Sequence, residues 1–210
     1  LIMADAKPQC RLYLQVPALI TARHESQISR ALAATSTACV LLCNNGKDAQ
    51  EVPADRLIDV IQGAGIACLM DDIERAERLG ADGVHIAADL ETYARARAVL
   101  GESANIGAGC GSSRHAAMQL AEAGADYVAF GPEDGSVDAI DQYAELIVWW
   151  SEVFVVPCVA WNVDSPSNAE VFARAGADFV APSRTIWQDD NAATIIAEID
   201  GAIRRVRSVA

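Results

Sequence analysis

Short apolar runs in this chain end on acids and small polar groups. Asn44 and Asn45 follow the run 39–43, Asp71 and Asp72 follow 66–70, and His85 stands in the run that leads to Asp89. Ser112 comes just after 105–109, Glu133 and Asp134 follow Gly131-Pro132, Trp161 and Asn162 follow 154–160, and Ser183-Arg184-Thr185 closes the last run. Two kinds of chemistry are suggested. A hydroxyl-bearing helix start beside an arginine, as at Ser183, Arg184 and Thr185, suits a small phosphorylated ligand. The competing reading is that Ser183 or Thr185 caps the next helix and Arg184 is solvated. A histidine at a strand end is a candidate general base; the competing reading of His85 is a packing residue. His24 and His115 fall at helix starts and read as surface positions.

These residues need elements to hold them. Gly80-Ala81-Asp82, Gly124-Ala125-Asp126 and Gly176-Ala177-Asp178 each follow an Ala- and Glu/Arg-rich helical stretch. Each glycine can take the left-handed conformation that ends a helix, and an apolar strand begins within three residues. The copies lie 44 and 52 residues apart, about twice one compact strand-and-helix unit, so a further unit falls in each gap, with strands at 105–109 and 154–160. Runs at 12–17, 39–43 and 66–70 complete eight strands, and helical periodicity fills 90–100, 114–123, 140–150, 169–175 and 192–206. Short strands alternating with helices demand parallel pairing through right-handed crossovers, and eight units close into a barrel. The expectation is an α/β chain forming one (β/α)8 TIM barrel over 1–210, with 1–10 as a loosely ordered N-terminal extension. A doubly wound open sheet is the alternative, but no G-x-G-x-x-G follows the first strand.

A barrel of this kind works at the carboxyl ends of its strands, where the polar residues above fall. Asp82, Asp126 and Asp178 start strands instead and are assigned to loop hydrogen bonding. Pro157 inside the seventh run is tolerable only near the strand's beginning. The second unit is the weakest, with a polar stretch at 44–53 and a short helix near 54–62.

Composition narrows the partners. A formal charge of −13 argues against nucleic acid and anionic membranes, which are bound mainly through Lys and Arg. It leaves room for a small phosphorylated ligand held by local backbone N–H groups. With 52% hydrophobic residues and no run of membrane-spanning length and purity, the chain reads as soluble. Its start lacks the features of a secretory signal, and six cysteines without a C-x-x-C pair read as buried thiols, so a cytoplasmic setting is expected. Trp149-Trp150 cannot both face the barrel; one packs and the other is a candidate contact in a homodimer.

The run 71–90, DDIERAERLGADGVHIAADL, resembles the thiamine phosphate synthase family, in which an Asn-Asp-Arg motif and a helix precede Gly-Ala-Asp-Gly-Val-His-Leu-Gly-Gln and an acidic pair. The run 124–132, GADYVAFGP, is similar to the same family's strand and Gly-Pro loop, and the likeness runs in order from Leu12-Tyr13-Leu14 to the last helix. The resemblance implies the family reaction: hydroxymethylpyrimidine diphosphate is joined to a thiazole phosphate, releasing pyrophosphate with a magnesium ion. It places the two metal-binding aspartates on Asp71 and Asp89, the second with one residue deleted after Ala87. It implies that His85 packs beneath the ligand, with Asn44, Asp72, Ser112, Trp161 and Asn162 around the same pocket.

Other positions depart from the family's pattern. Its Gln-x-Arg-x-Lys strand end aligns with Leu41-Leu42-Cys43-Asn44-Asn45, leaving only Lys47 nearby, and Met70 and Asp72 replace the Asn and Arg beside the first metal aspartate. Gly109 stands for a serine, the sixth loop 133–138 carries acids in place of Thr-x-Thr-Lys, and Trp161-Asn162 replaces a Gly-Gly that admits phosphate. The sequence therefore reads as a thiamine phosphate synthase-like transferase with a degenerate site. The alternative is a catalytically silent barrel that binds a small ligand or a protein partner, with Trp161 plugging the mouth. The related thiazole tautomerase needs a histidine near Pro132, and none is there.

Overall fold

A computed structural model of the chain describes residues 9–17, 22–43, 54–132 and 140–206. The strands β1 (Arg11–Pro17), β2 (Thr37–Cys43), β3 (Ala67–Met70), β4 (Gly83–Ala87), β5 (Asn105–Gly111), β6 (Tyr127–Phe130), β7 (Cys158–Val163) and β8 (Phe179–Pro182) pair in sequence order. All the pairs are parallel, and β8 returns to β1 to close the barrel. The helices are α1 (Ala22–Ala34), α2 (Ala54–Gly63), α3 (Ile73–Leu79), α4 (Leu90–Leu100), α5 (Arg114–Ala123), α6 (Ile140–Val153), α7 (Pro166–Ala175) and α8 (Ala192–Arg205), with a short 3-10 helix at Arg184–Gln188. The molecule is thus a (β/α)8 TIM barrel, and the open-sheet alternative is excluded by the β8–β1 pairing.

Two cores follow from the alternation of side chains along each strand. Leu12, Leu14 and Val16 of β1 face outward into the layer between sheet and helices, where they join Val40, Leu42, Ile106, Ile147 and Trp150. Tyr13 faces inward and packs with Leu41, Leu69, Tyr127, Ala129 and Val159 to fill the barrel itself.

The three Gly-Ala-Asp joints are built alike. Gly80, Gly124 and Gly176 end their helices with φ of 68°, 99° and 99°, a conformation open to glycine at little cost. Each following aspartate then holds the start of the preceding strand. Asp82 accepts from the Cys68 backbone N–H at 2.7 Å, Asp126 from Ile106 at 2.8 Å and Asp178 from Cys158 at 2.8 Å. Their own N–H groups donate back to the carbonyls of those same three residues.

The seventh strand differs from expectation. It begins at Cys158, after Pro157, because proline has no N–H to give the ladder. Pro157 instead accepts from Val128 N–H, Phe154 stacks on Trp150 at 4.0 Å, and Val155 is wholly exposed. Trp150 is fully buried, whereas half-buried Trp149 is covered by its own chain, with Arg114 over its ring at 4.5 Å. Among the described residues no helix is long and apolar enough to cross a membrane. The expected N-terminal extension lies, up to residue 8, outside the described residues.

Candidate functional site

The carboxyl ends of the strands surround an open cavity of about 410 Å³, within the usual range of small-molecule sites. Its floor is aromatic. His85 of β4 lies flat on Trp161 of β7, ring centroids 4.3 Å apart and planes 5° from parallel. Tyr127 lies near-parallel to the imidazole, ring centroids 5.8 Å apart, and its hydroxyl bonds His85 Nδ1 at 2.9 Å and the Tyr13 hydroxyl at 2.8 Å. Tyr127 fits because Gly107 of β5 stands beside it: a Cβ there would sit 2.0 Å from the ring. Burial among these rings pushes the His85 pKa down to about 4, so the imidazole is neutral at pH 7. Burial pushes both tyrosines well above their ordinary value.

One wall joins β1, β7 and β8. Gln15 is buried on β1 and donates to Asn162 Oδ1 and to the Pro182 carbonyl, each at 3.2 Å. Asn162 donates in turn to the Pro132 carbonyl at 2.7 Å. The Asn162 backbone is left-handed, with φ of 57°, a region asparagine tolerates better than most residues. The tryptophan expected to plug the mouth therefore lies down as floor, while its neighbour supplies the tight backbone turn.

Another part of the lining carries charge. Asp71, Asp72 and Glu74 line the cavity from the β3–α3 corner, and Cys43 of β2 and Arg184 line it as well. Burial pushes the Cys43 thiol up to about 11; the Asp71 charge adds to the rise, and the hydrogen-bonded Arg184 guanidinium opposes it. Asp72 also caps α3, its Oδ1 accepting from Arg75 N–H at 2.7 Å.

The residues singled out from sequence divide. Asp71, Asp72, His85, Trp161, Asn162 and Arg184 share the cavity. Asp89 does not: its Oδ2 accepts from the Thr92 hydroxyl at 2.5 Å and the Thr92 N–H at 2.7 Å, capping α4. Those bonds hold its carboxyl below the usual range, and it borders a separate cleft with Ala116 and Gln119 of α5. Asp71 and Asp89 are therefore not brought into one cavity. Ser183 and Thr185 also lie off the cavity lining, their hydroxyls 2.9 Å apart at the start of the 3-10 helix, with Ser183 accepting from Thr185 N–H at 3.4 Å. Of that trio only Arg184 lines the cavity. Ser112 is exposed beside it, and the cap of α5 is its neighbour Ser113. Asn44, Lys47 and the acidic loop 133–138 lie outside the described residues.

Sequence reasoning missed Gln15, Thr92, Arg95 and Glu74, all of which line the cavity. Gln15 was hidden in an apolar run, where only strand alternation marks it as inward. Thr92 and Arg95 are three apart on α4, a spacing that puts them on one helix face. Nothing in the sequence says which face looks over the barrel mouth.

A parallel barrel with an aromatic-floored cavity at its carboxyl ends, rimmed by arginine and carboxylate, defines a (β/α)8 protein with a small-molecule site where barrel enzymes work. The chain belongs to the thiamine monophosphate synthase family, which it matches over residues 12–186. It is 38% identical over 205 residues to the thiamine-phosphate synthase of Erythrobacter litoralis, covering 93% of this chain and 96% of that one. The thiamine-phosphate synthase of Hyphomonas neptunium is 38% identical over 201 residues, 90% of each chain. Among solved structures, thiamine phosphate pyrophosphorylase from Pyrococcus furiosus superposes with a TM-score of 0.72 over 93% of this chain and 96% of its own; at 17% identity this is a likeness of fold.

Proposed function

We propose that the protein is a thiamine-phosphate synthase that joins hydroxymethylpyrimidine diphosphate to a thiazole phosphate and releases pyrophosphate. The observation that carries this reading is that Arg184, Asp71 and Asp72 line one open cavity together with the stacked His85–Trp161 pair. The reaction breaks the bond to the diphosphate, and its electron pair leaves with pyrophosphate, so negative charge must be neutralised where the leaving group departs. Arg184 supplies a permanent cation there, and the stacked rings offer a flat apolar surface to a heteroaromatic ring. His85 is neutral and tied to Tyr127, which suits it to orienting a ring rather than carrying charge.

Magnesium usually takes one or two carboxylates and completes its shell with water and substrate phosphates. The cavity fits that demand, with Asp71 and Asp72 on its wall, although no cage of three such ligands occurs among the described residues. When bound it would be held by Asp71 and would neutralise diphosphate charge; Asp89 borders a separate cleft and is not in the cavity lining.

One observation favours a second reading, a barrel that binds its ligand without turnover: Asp89 borders a separate cleft and not the cavity that Asp71 lines. Titrating the protein with thiazole phosphate and hydroxymethylpyrimidine diphosphate plus magnesium, while following binding heat and pyrophosphate release, separates the two. Release of pyrophosphate in step with coupled product is expected. Heat without release would support the binding barrel, and silence in both channels would retire the synthase.

A further inference from the structure

Besides Arg184, one other arginine lines the cavity among the described residues, and it comes from an unexpected element. Arg95 lies on α4, one turn beyond Thr92, and the two present the same helix face to the cavity. Its guanidinium lies 3.8 Å from Glu74 Oε1 of α3, across the mouth of the α3–α4 cleft. Both side chains are largely exposed, 60% and 64%, so the pair is loose and water competes for each partner. Loose pairing leaves the guanidinium available to a stronger anion. A phosphate or diphosphate offers several oxygens in a geometry that the guanidinium fork matches, and a charge-assisted bond of that kind outcompetes one exposed carboxylate at 3.8 Å.

We propose that Arg95 is the second anion-holding residue of this site: it exchanges Glu74 for a diphosphate ester entering the cavity that Arg184 also lines. The choice of diphosphate rests on the synthase reading; the anion site itself rests on the placement of Arg95, Glu74 and Arg184. Glu74 is then a competitor built into the mouth. It holds Arg95 in place when the cavity is empty and repels the anion that displaces it, which predicts opposite effects for the two residues.

Inorganic pyrophosphate is the probe, titrated calorimetrically into the full chain, with turnover of hydroxymethylpyrimidine diphosphate measured alongside. Arg95→Gln should weaken pyrophosphate about tenfold and raise KM for the diphosphate substrate. Arg95→Lys should recover part of that, because a lysine keeps the charge without the fork. Glu74→Gln should tighten pyrophosphate a few-fold, a result that a merely structural ion pair would not give. Thermal unfolding should be unmoved in all three, since the pair is exposed. Pyrophosphate binding equal to wild type in both Arg95→Gln and Glu74→Gln would overturn the proposal. Wild-type turnover with an unchanged Arg95→Gln variant sinks this inference alone. No turnover, with pyrophosphate binding that depends on Arg95, keeps the anion site and sinks the synthase reading. Neither turnover nor pyrophosphate binding sinks both.

Discussion

The two ends of the barrel are built on opposite plans. At the amino end the same three residues make the same bonds three times: a left-handed glycine closes a helix, and an aspartate pins the start of the neighbouring strand. At the carboxyl end the strand ends and the turns after them differ from one another; one gives a tryptophan as floor, one a pair of aspartates, one an arginine. The repeated end answers to backbone geometry, which is alike in these three units. The varied end answers to a ligand, which touches each loop differently. Substitutions at the amino end should therefore cost stability and spare binding, and those at the carboxyl end the reverse.

The largest effect is expected at the amino end, where β4 starts against β5. A Cβ on Gly83 would sit 1.9 Å from the Asn105 carbonyl oxygen and 2.6 Å from its carbon. Both are backbone atoms of the paired strand, so no side chain can swing aside. Gly83→Ala should cost at least ~3 kcal/mol and lower Tm by about 10 °C or leave no soluble fold. A thermal melt within 2 °C of wild type, on the order of 1 kcal/mol or less, would show that β4 and β5 can part without harm.

Next comes the staple itself. Asp126 holds the Ile106 N–H and also Arg97, each at 2.8 Å. Asp126→Ala leaves a buried backbone donor without its partner, a loss of about 2–3 kcal/mol; the partly exposed Arg97 pair adds little to this. Asp126→Asn keeps an acceptor and should cost about half as much. Urea unfolding gives the order, and pyrophosphate titration of the folded Ala variant should match wild type. Weakened binding there would mean that the two ends are coupled.

The same contrast explains what could be read from the sequence. The barrel was legible because Gly-Ala-Asp recurs at a spacing of two units and because each strand has its own apolar run. The seventh strand was misplaced by four residues, since Phe154–Val156 looks like strand but spends its apolar groups on Trp150 and solvent before Pro157 lets pairing begin. At the site, position along a strand pointed to Asp71, His85, Trp161 and Arg184, which all line the cavity. It could not show that Asp89 turns onto Thr92, that Trp161 lies flat, or that Arg95 reaches over from a helix. Those outcomes depend on side-chain direction, which neither residue type nor spacing encodes.

The smallest of these effects sharpens the comparison from the carboxyl end, where His85 is expected to make stability depend on pH. Its pKa falls from 6.5 to about 4 on folding because it is enclosed by Tyr127, Tyr13 and Trp161. Below pH 6.5 the unfolded chain takes up a proton that the folded chain refuses until about pH 4, so the folded state loses ground as pH falls through that window. Above pH 6.5 the imidazole is neutral in both states and contributes no slope. Between pH 6.5 and 5 the penalty is at most about 2 kcal/mol. His85→Gln should remove it, leaving a shallower acid limb that reflects only the carboxylates. The measurement is the difference in slope between wild type and variant in chemical denaturation at matched pH, not the absolute stability, which also records the lost stacking on Trp161. Parallel slopes would show that the ring accepts its proton in the folded state near its ordinary pKa.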